Sequence, residues 1–202
     1  MGRHKRVSDE AVLDAARGAF VELGYGASTR EISRRAGVSE AVLFQRHKTK
    51  LDLFFAAMVP PPVALAAARA PKGRRKAAAG EEIEALALQI MAYFREAMPV
   101  LLQLVTHPSF RLADLADRAS RMPLAGLTDA LAACLERQAA AGAITRDASK
   151  RRTATLTLLA TLHSLALFER MGLHGGSFPD KAVRNVVALV VAGLRPEKGS
   201  PE

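Results

Sequence analysis

The chain has 202 residues, enough for a small domain fused to a medium one, and half of them are hydrophobic, enough for a sizeable core. Its net charge of +9 is uneven: residues 1–76 hold 15 Lys/Arg against 7 Asp/Glu, whereas residues 77–202 hold 14 against 13. A basic front on a near-neutral body fits a polyanion-binding head, and the lone Cys134 excludes an intrachain disulfide and fits a reducing, cytoplasmic compartment.

The chain opens on Met1-Gly2-Arg3-His4-Lys5-Arg6, basic like a signal peptide, but Asp9, Glu10, Asp14 and Arg17 interrupt any apolar run behind it. Arg3 to Arg6 read either as an arm for the minor groove or as a loose tail. A first helix is expected after Ser8, a good N-cap, with Asp9 and Glu10 in its first turn. Val12, Ala16, Phe20 and Leu23 share one face, and Gly24 ends the helix. Ser28-Thr29-Arg30-Glu31 is a capping box that starts a second helix, stopped by Gly37. Ser39 caps a third, to about Arg46, and a fourth opens near Lys50 with Leu51, Phe54 and Phe55.

Pro60-Pro61-Pro62 breaks the chain, with a short helix restarting to about Arg69. Residues 71–80 read as a linker, and the basic run Arg69 to Lys76 as a solvated loop. Ile83, Leu86, Ala87, Ile90, Met91, Phe94, Ala97 and Met98 then mark an amphipathic helix that Pro99 is expected to close. Further helices are expected over 100–106, Pro123 to Ala141, Ala148 to Arg170 and after Ser177-Phe178-Pro179-Asp180, the last with Val183, Val186, Val187, Val190, Val191 and Leu194 in a stripe. The longest apolar stretch is read as Ala154 to Phe168, shorter than the ~20 residues of a membrane span. The fold class is all-α. The expected division, on the motif and pattern described next, is a three-helix helix-turn-helix DNA-binding domain over residues 1–50 and a helical ligand-binding and dimerisation domain over 51–202.

The segment Ser28 to Lys50 carries the function. Two short helices joined by Ala36-Gly37-Val38-Ser39 have the form of a helix-turn-helix, whose second helix enters the major groove. Gly37 takes a positive φ without a Cβ penalty. Ile32, Ala36, Val38 and Leu43 lock the pair, which leaves Glu40, Ala41, Phe44, Gln45 and Arg46 toward the groove. Gln pairs bidentately with adenine and Arg with guanine, so Gln45 and Arg46 are candidate base readers. The helix starts at Ser28, Thr29 and Ser39, with Arg30, Lys48, Thr49 and Lys50, are candidate phosphate contacts.

Residues 8–55, above all STREISRRAGVSEAVLFQRHKTKLDLF, resemble the DNA-binding region of the TetR (tetracycline-repressor-like) family. The likeness covers Phe20 to Tyr25, Ile32, Ala36 to Ser39, Leu43-Phe44 and Lys48 to Lys50 in unbroken order. It implies a bacterial homodimer whose C-terminal domain binds a small ligand and thereby releases a near-palindromic operator. Three positions depart from the pattern. Phe44 stands where the family has Tyr, His47 where it has an aromatic, and Glu40 where a basic residue is common.

Tyr93, Phe94, Met98, His107, Phe110, Cys134, His163 and Phe168 are candidates for an apolar or amphipathic ligand pocket, each weighed against plain core packing. Cys134 reads as a small buried hydrophobe or a redox sensor. Leucines on more than one face of the 153–168 helix, together with the valine stripe, point to dimerisation through the last two helices. The five histidines and Cys134 lack metal-ligand spacing, and no nucleophile elbow, phosphate loop or paired-carboxylate signature is present, so no metal, cofactor or catalytic residue is expected. The expected function is a ligand-responsive, DNA-binding repressor. The alternatives are a regulator governed by a protein partner and, third, a small helical enzyme.

Overall fold

The computed structural model describes residues 7–58, 79–111, 124–173 and 175–196. The Arg3–Arg6 arm, the break at Pro60–Pro62 and the short helix to Arg69 lie outside them. Of the linker expected over 71–80, only Ala79 and Gly80 are described, and both belong to a helix.

Eight helices account for the regular structure of the described residues: α1 Asp9–Leu23, α2 Thr29–Ala36, α3 Glu40–Arg46, α4 Lys50–Ala57, α5 Ala79–Val105, α6 Leu124–Ala140, α7 Ala148–Met171 and α8 Asp180–Gly193. Their starts follow the local chemistry. Ser8, Ser28, Ser39 and Asp147 each accept a backbone N–H of the first turn, and Thr49 and Asp52 close a reciprocal capping box on α4.

The helices form two compact units, one holding residues 7–58 and 99–111, the other 79–98 and 124–196. The first is built on α1, which packs against α2 and α4. Val12, Ala16, Ala19 and Phe20 are buried with Ile32, Leu43, Leu53, Phe54 and Met58. Leu23 was expected on this face but is 49% exposed. It is the last residue of α1, and the buried stripe consists of Val12, Ala16, Ala19 and Phe20. Helix α4 thus belongs to the first unit's core.

In the second unit α7 packs between α6 and α8. Ile83, Leu86, Ala87, Ile90 and Met91 of α5 are buried with Leu127, Leu131 and Leu135 of α6, Leu158 and Leu162 of α7, and Val183 and Val187 of α8. Thr145 N–H donates to the Leu194 carbonyl at 2.7 Å and fixes the end of α8.

Pro99 does not close its helix; α5 runs through it to Val105, so the separate helix expected over 100–106 is the end of α5. Proline removes one hydrogen bond and crowds the carbonyl of Arg95, a cost of about 3 kcal/mol. Burial of Val100 and Leu104 just beyond it contributes roughly 1.5–3 kcal/mol each, which offsets that cost. Pro99 is also where α5 passes from one unit to the other. The most apolar long stretch is likewise here: Gly80–Val105 is long and apolar enough to cross a membrane, and 44% of that window is buried inside the protein. Ala154 to Phe168, expected to be the longest such stretch, is shorter; Arg95 and Glu96 interrupt the apolar run of α5 and hide its length in the sequence.

One ion pair anchors the turn between α7 and α8. Arg95 of α5 donates to both carboxylate oxygens of Glu169 at 2.9 and 2.8 Å and to the Phe178 carbonyl at 2.7 Å, and Phe178 N–H donates back to Glu169 at 2.6 Å. The Glu169 side chain is 8% exposed. The Arg95 guanidinium, then the Phe178 N–H, holds its carboxyl below the ordinary range. Glu169→Ala should therefore destabilise the chain by about 2–4 kcal/mol, since it strands a partly buried guanidinium. A carboxyl whose folded value is depressed stabilises above its unfolded value and loses that contribution as pH falls through the folded one. In urea titrations the gap between wild type and Glu169→Gln should hold at pH 7 and shrink as pH drops below about 4.3, the unfolded glutamate value.

Candidate nucleic-acid interface

Helices α2 and α3 have eight and seven residues, too short to hold themselves in water. Their pairing rests on the turn. Gly37 sits at φ 67°, ψ 29°; its N–H donates to Arg34 O, and Val38 N–H donates to Ser33 O. These bonds close α2 in the left-handed way that glycine allows. Ile32, Ala36 and Leu43 are buried and Val38 packs against them, as expected.

On the outer side, Ser28, Arg30, Ser39, Glu40, Ala41, Phe44, Gln45, Lys48 and Thr49 are exposed, and Thr29, Arg46 and Lys50 are half-buried. The structure thus gathers the twelve sequence-predicted residues on the starts of α2 and α3, the outer face of α3 and the start of α4. Several are already engaged. The hydroxyls of Ser28 and Ser39 cap their own helices at 3.1 and 3.3 Å, which leaves backbone N–H groups for an anion. The Thr49 N–H and hydroxyl both donate to Asp52, at 3.0 and 2.8 Å. The Lys50 ammonium lies 4.6 Å from the Tyr25 ring centroid.

Arg46 is the main departure from expectation. Its guanidinium donates to Val7 O at 2.8 Å and to Asp9 at 3.2 Å, and so ties the end of α3 to the start of α1. Reading a guanine from here requires breaking both bonds. Other arginines are committed in the same way. Arg34 and Arg35 grip Glu31, holding its carboxyl down at about 2, and Arg35 also reaches Glu22 at 2.7 Å. Arg30 projects from α2 on the exposed side. The Nε2 of His47 is enclosed without a hydrogen-bond partner, and the residue as a whole is half-buried.

The candidate ligand residues divide between the units. His107 and Phe110 belong to the first: the His107 ring stands 4.4 Å from Tyr25, 4.8 Å from Phe54 and 5.6 Å from Phe55, centroid to centroid, and Phe110 packs on the same core. In the second unit Tyr93, Phe94 and His163 meet, with centroids 5.8 Å apart for Tyr93 and Phe94 and 5.4 Å for Phe94 and His163. Phe94, Met98 and Cys134 are buried and Phe168 half-buried. Burial pushes the Tyr93 hydroxyl up to about 12, so it stays protonated. Burial also pushes the Cys134 thiol up to about 12, aided by the Glu82 charge, which removes the thiolate a redox sensor needs. Three clefts run between helices of this unit, along α7 and α8, α5 and α8, and α6 and α7; none is lined by the eight candidates.

Residues 12–57 match the model of the bacterial regulatory proteins, tetR family. The match spans α1 to α4, so the first unit's helix-turn-helix is of the TetR type read from the sequence. Comparison with curated proteins gives no match. Among solved structures, the transcriptional regulator FadR from Bacillus subtilis, in complex with stearoyl-CoA, superposes with a TM-score of 0.60 at 17% identity, covering 93% of this chain and 100% of that one. A transcriptional regulator from Rhodococcus sp. Rha1 gives 0.59 at 24% identity, with 93% and 95% covered. The TetR family transcriptional regulator PfmR from Thermus thermophilus gives 0.56 at 18%, with 98% and 100% covered. These likenesses show a shared all-helical fold over nearly the whole chain.

The turn gives a direct check. A Cβ on Gly37 would meet no neighbour within 4 Å, so the penalty of a side chain there is conformational alone. Gly37→Ala should destabilise by about 1–2 kcal/mol and Gly37→Asn by less, because Asn tolerates the left-handed region. Chemical denaturation of the two variants separates them.

Proposed function

We propose that the chain is a sequence-specific, DNA-binding transcriptional regulator that acts as a homodimer and releases its operator when the second unit binds a small amphipathic ligand. The observation that carries the DNA reading is the outer face of α3. It is held by Leu43, capped at Ser39, and turned to solvent at Glu40, Ala41, Phe44 and Gln45. Exposed Arg30 and Lys48 and the N-termini of α2 and α3 flank it as phosphate contacts. Gln45 is the base reader with unengaged geometry; Arg46 orders the start of α1 unless it changes partners on DNA.

Apolar side chains left bare support the dimer. Leu189 on α8 is 76% exposed and Leu156 on α7 is 56% exposed, beside the buried stripes that face the core. A two-fold pairing of α7 and α8 would cover both and set two α3 helices about 34–36 Å apart on one side of a duplex. The ligand reading draws on the stearoyl-CoA held by the Bacillus subtilis FadR and on the Tyr93, Phe94 and His163 cluster, an apolar wall with two polar groups. Binding would favour one spacing of the reading heads, a coupling of typically ~1–3 kcal/mol.

Selection of bound sequences from a random duplex pool tests this. Wild type should enrich a near-palindrome, and Gln45→Ala should lose enrichment at one base pair of each half-site. Enrichment of nothing, with binding only in low salt, contradicts the reading. Leu156→Asp/Leu189→Asp should sediment as a monomer with wild-type helicity and lose affinity for the enriched duplex; a dimer that survives places the interface elsewhere.

A further inference from the structure

Ala41, Phe44 and Gln45 stand at i, i+3 and i+4 on α3 and are all exposed. Phe44 is 41% exposed, and among the described residues of the first unit only Leu23, at the end of α1, is a large apolar side chain more open to water. A phenyl ring offers neither donor nor acceptor, so Phe44 makes no hydrogen bond to a phosphate or to a base edge. The major groove presents one apolar feature, the 5-methyl group of thymine. With Arg46 tied to Val7 and Asp9, the outward face of α3 carries an acid, a methyl, a phenyl and an amide, and no free cation suited to guanine.

Resting on the DNA-binding reading above, we propose that Phe44 and Ala41 form an apolar patch that reads the 5-methyl of thymine, with Gln45 pairing to a neighbouring adenine. Each half-site is then specified by A·T pairs. Phe44 is a specificity-determining residue, and its exposed ring is what meets the methyl.

Deoxyuridine removes the methyl and leaves the base pairing intact, which makes it the probe. In the duplex enriched by the full-length protein, each thymine is replaced singly by deoxyuridine and affinity is measured by fluorescence anisotropy at fixed salt. One thymine per half-site should lose about fourfold in affinity, the effect of one buried methyl, and about 15-fold when replaced in both half-sites. Phe44→Ala should bind the parent duplex more weakly, melt at the wild-type temperature, and be insensitive to that same replacement. Phe44→Tyr, which keeps the ring, should retain the sensitivity. If every deoxyuridine duplex binds wild type within twofold of the parent, or if the loss persists unchanged in Phe44→Ala, the methyl reading is overturned while sequence-specific binding stands. If no duplex is enriched at all, the DNA-binding reading falls, and this inference with it.

Discussion

Seven residues of helix cannot stand alone in water, and every feature of the candidate interface depends on how α3 is nevertheless held in place. Only Leu43 of α3 is fully buried. Its anchorage is the core that α1 provides, where Phe20 packs edge-on against Phe54 at 5.0 Å with Val12, Ala16 and Ile32 around them. Because one buried leucine, one serine cap and one arginine clamp suffice, the remaining side chains of α3 are left on the surface. A reading helix needs that economy: a rigid mount that consumes few of the residues it presents.

Charge is distributed by the same logic. Residues 1–50 hold ten Lys/Arg, yet Arg17, Arg34, Arg35 and Arg46 are paired with Asp14, Glu31, Glu22 and Asp9. Arg17 and Arg46 also donate to backbone carbonyls, at Ala57 and Val7, and so act as struts between helices. Composition alone therefore overstates the number of phosphate contacts, since nearly half of the cations in this stretch serve architecture. In the second unit Arg95 and Glu169 do the equivalent work for the turn ahead of α8, and Glu82 gathers Arg137 and Gln138 beside Cys134.

What the sequence made legible was local. Ser8, Ser28, Ser39 and Gly37 act within four residues of themselves, so the starts of α1 to α3 and the left-handed turn could be read from spacing. The features that escaped it depend on distant partners. Pro99 interrupts nothing because Val100 and Leu104 find burial beyond it. Nothing beside His107 in the sequence points to its partners, yet its ring meets Tyr25, Phe54 and Phe55, which lie far back along the chain. Arg46 looks like a base reader by its place on α3, and only the fold reveals Val7 and Asp9 within reach of its guanidinium. The closing strut of a helix and a free side chain have the same sequence signature.

The most direct test of the central claim is a specificity ratio. Affinity for the enriched duplex and for a scrambled duplex of identical composition would be measured side by side at about 0.15 M salt. The account predicts that the full chain prefers its own sequence by at least about a thousandfold, the low end for specific recognition. A ratio near one, with both affinities falling together as salt rises, would contradict it, because the cations of the first unit would then hold duplex DNA without α3 reading it.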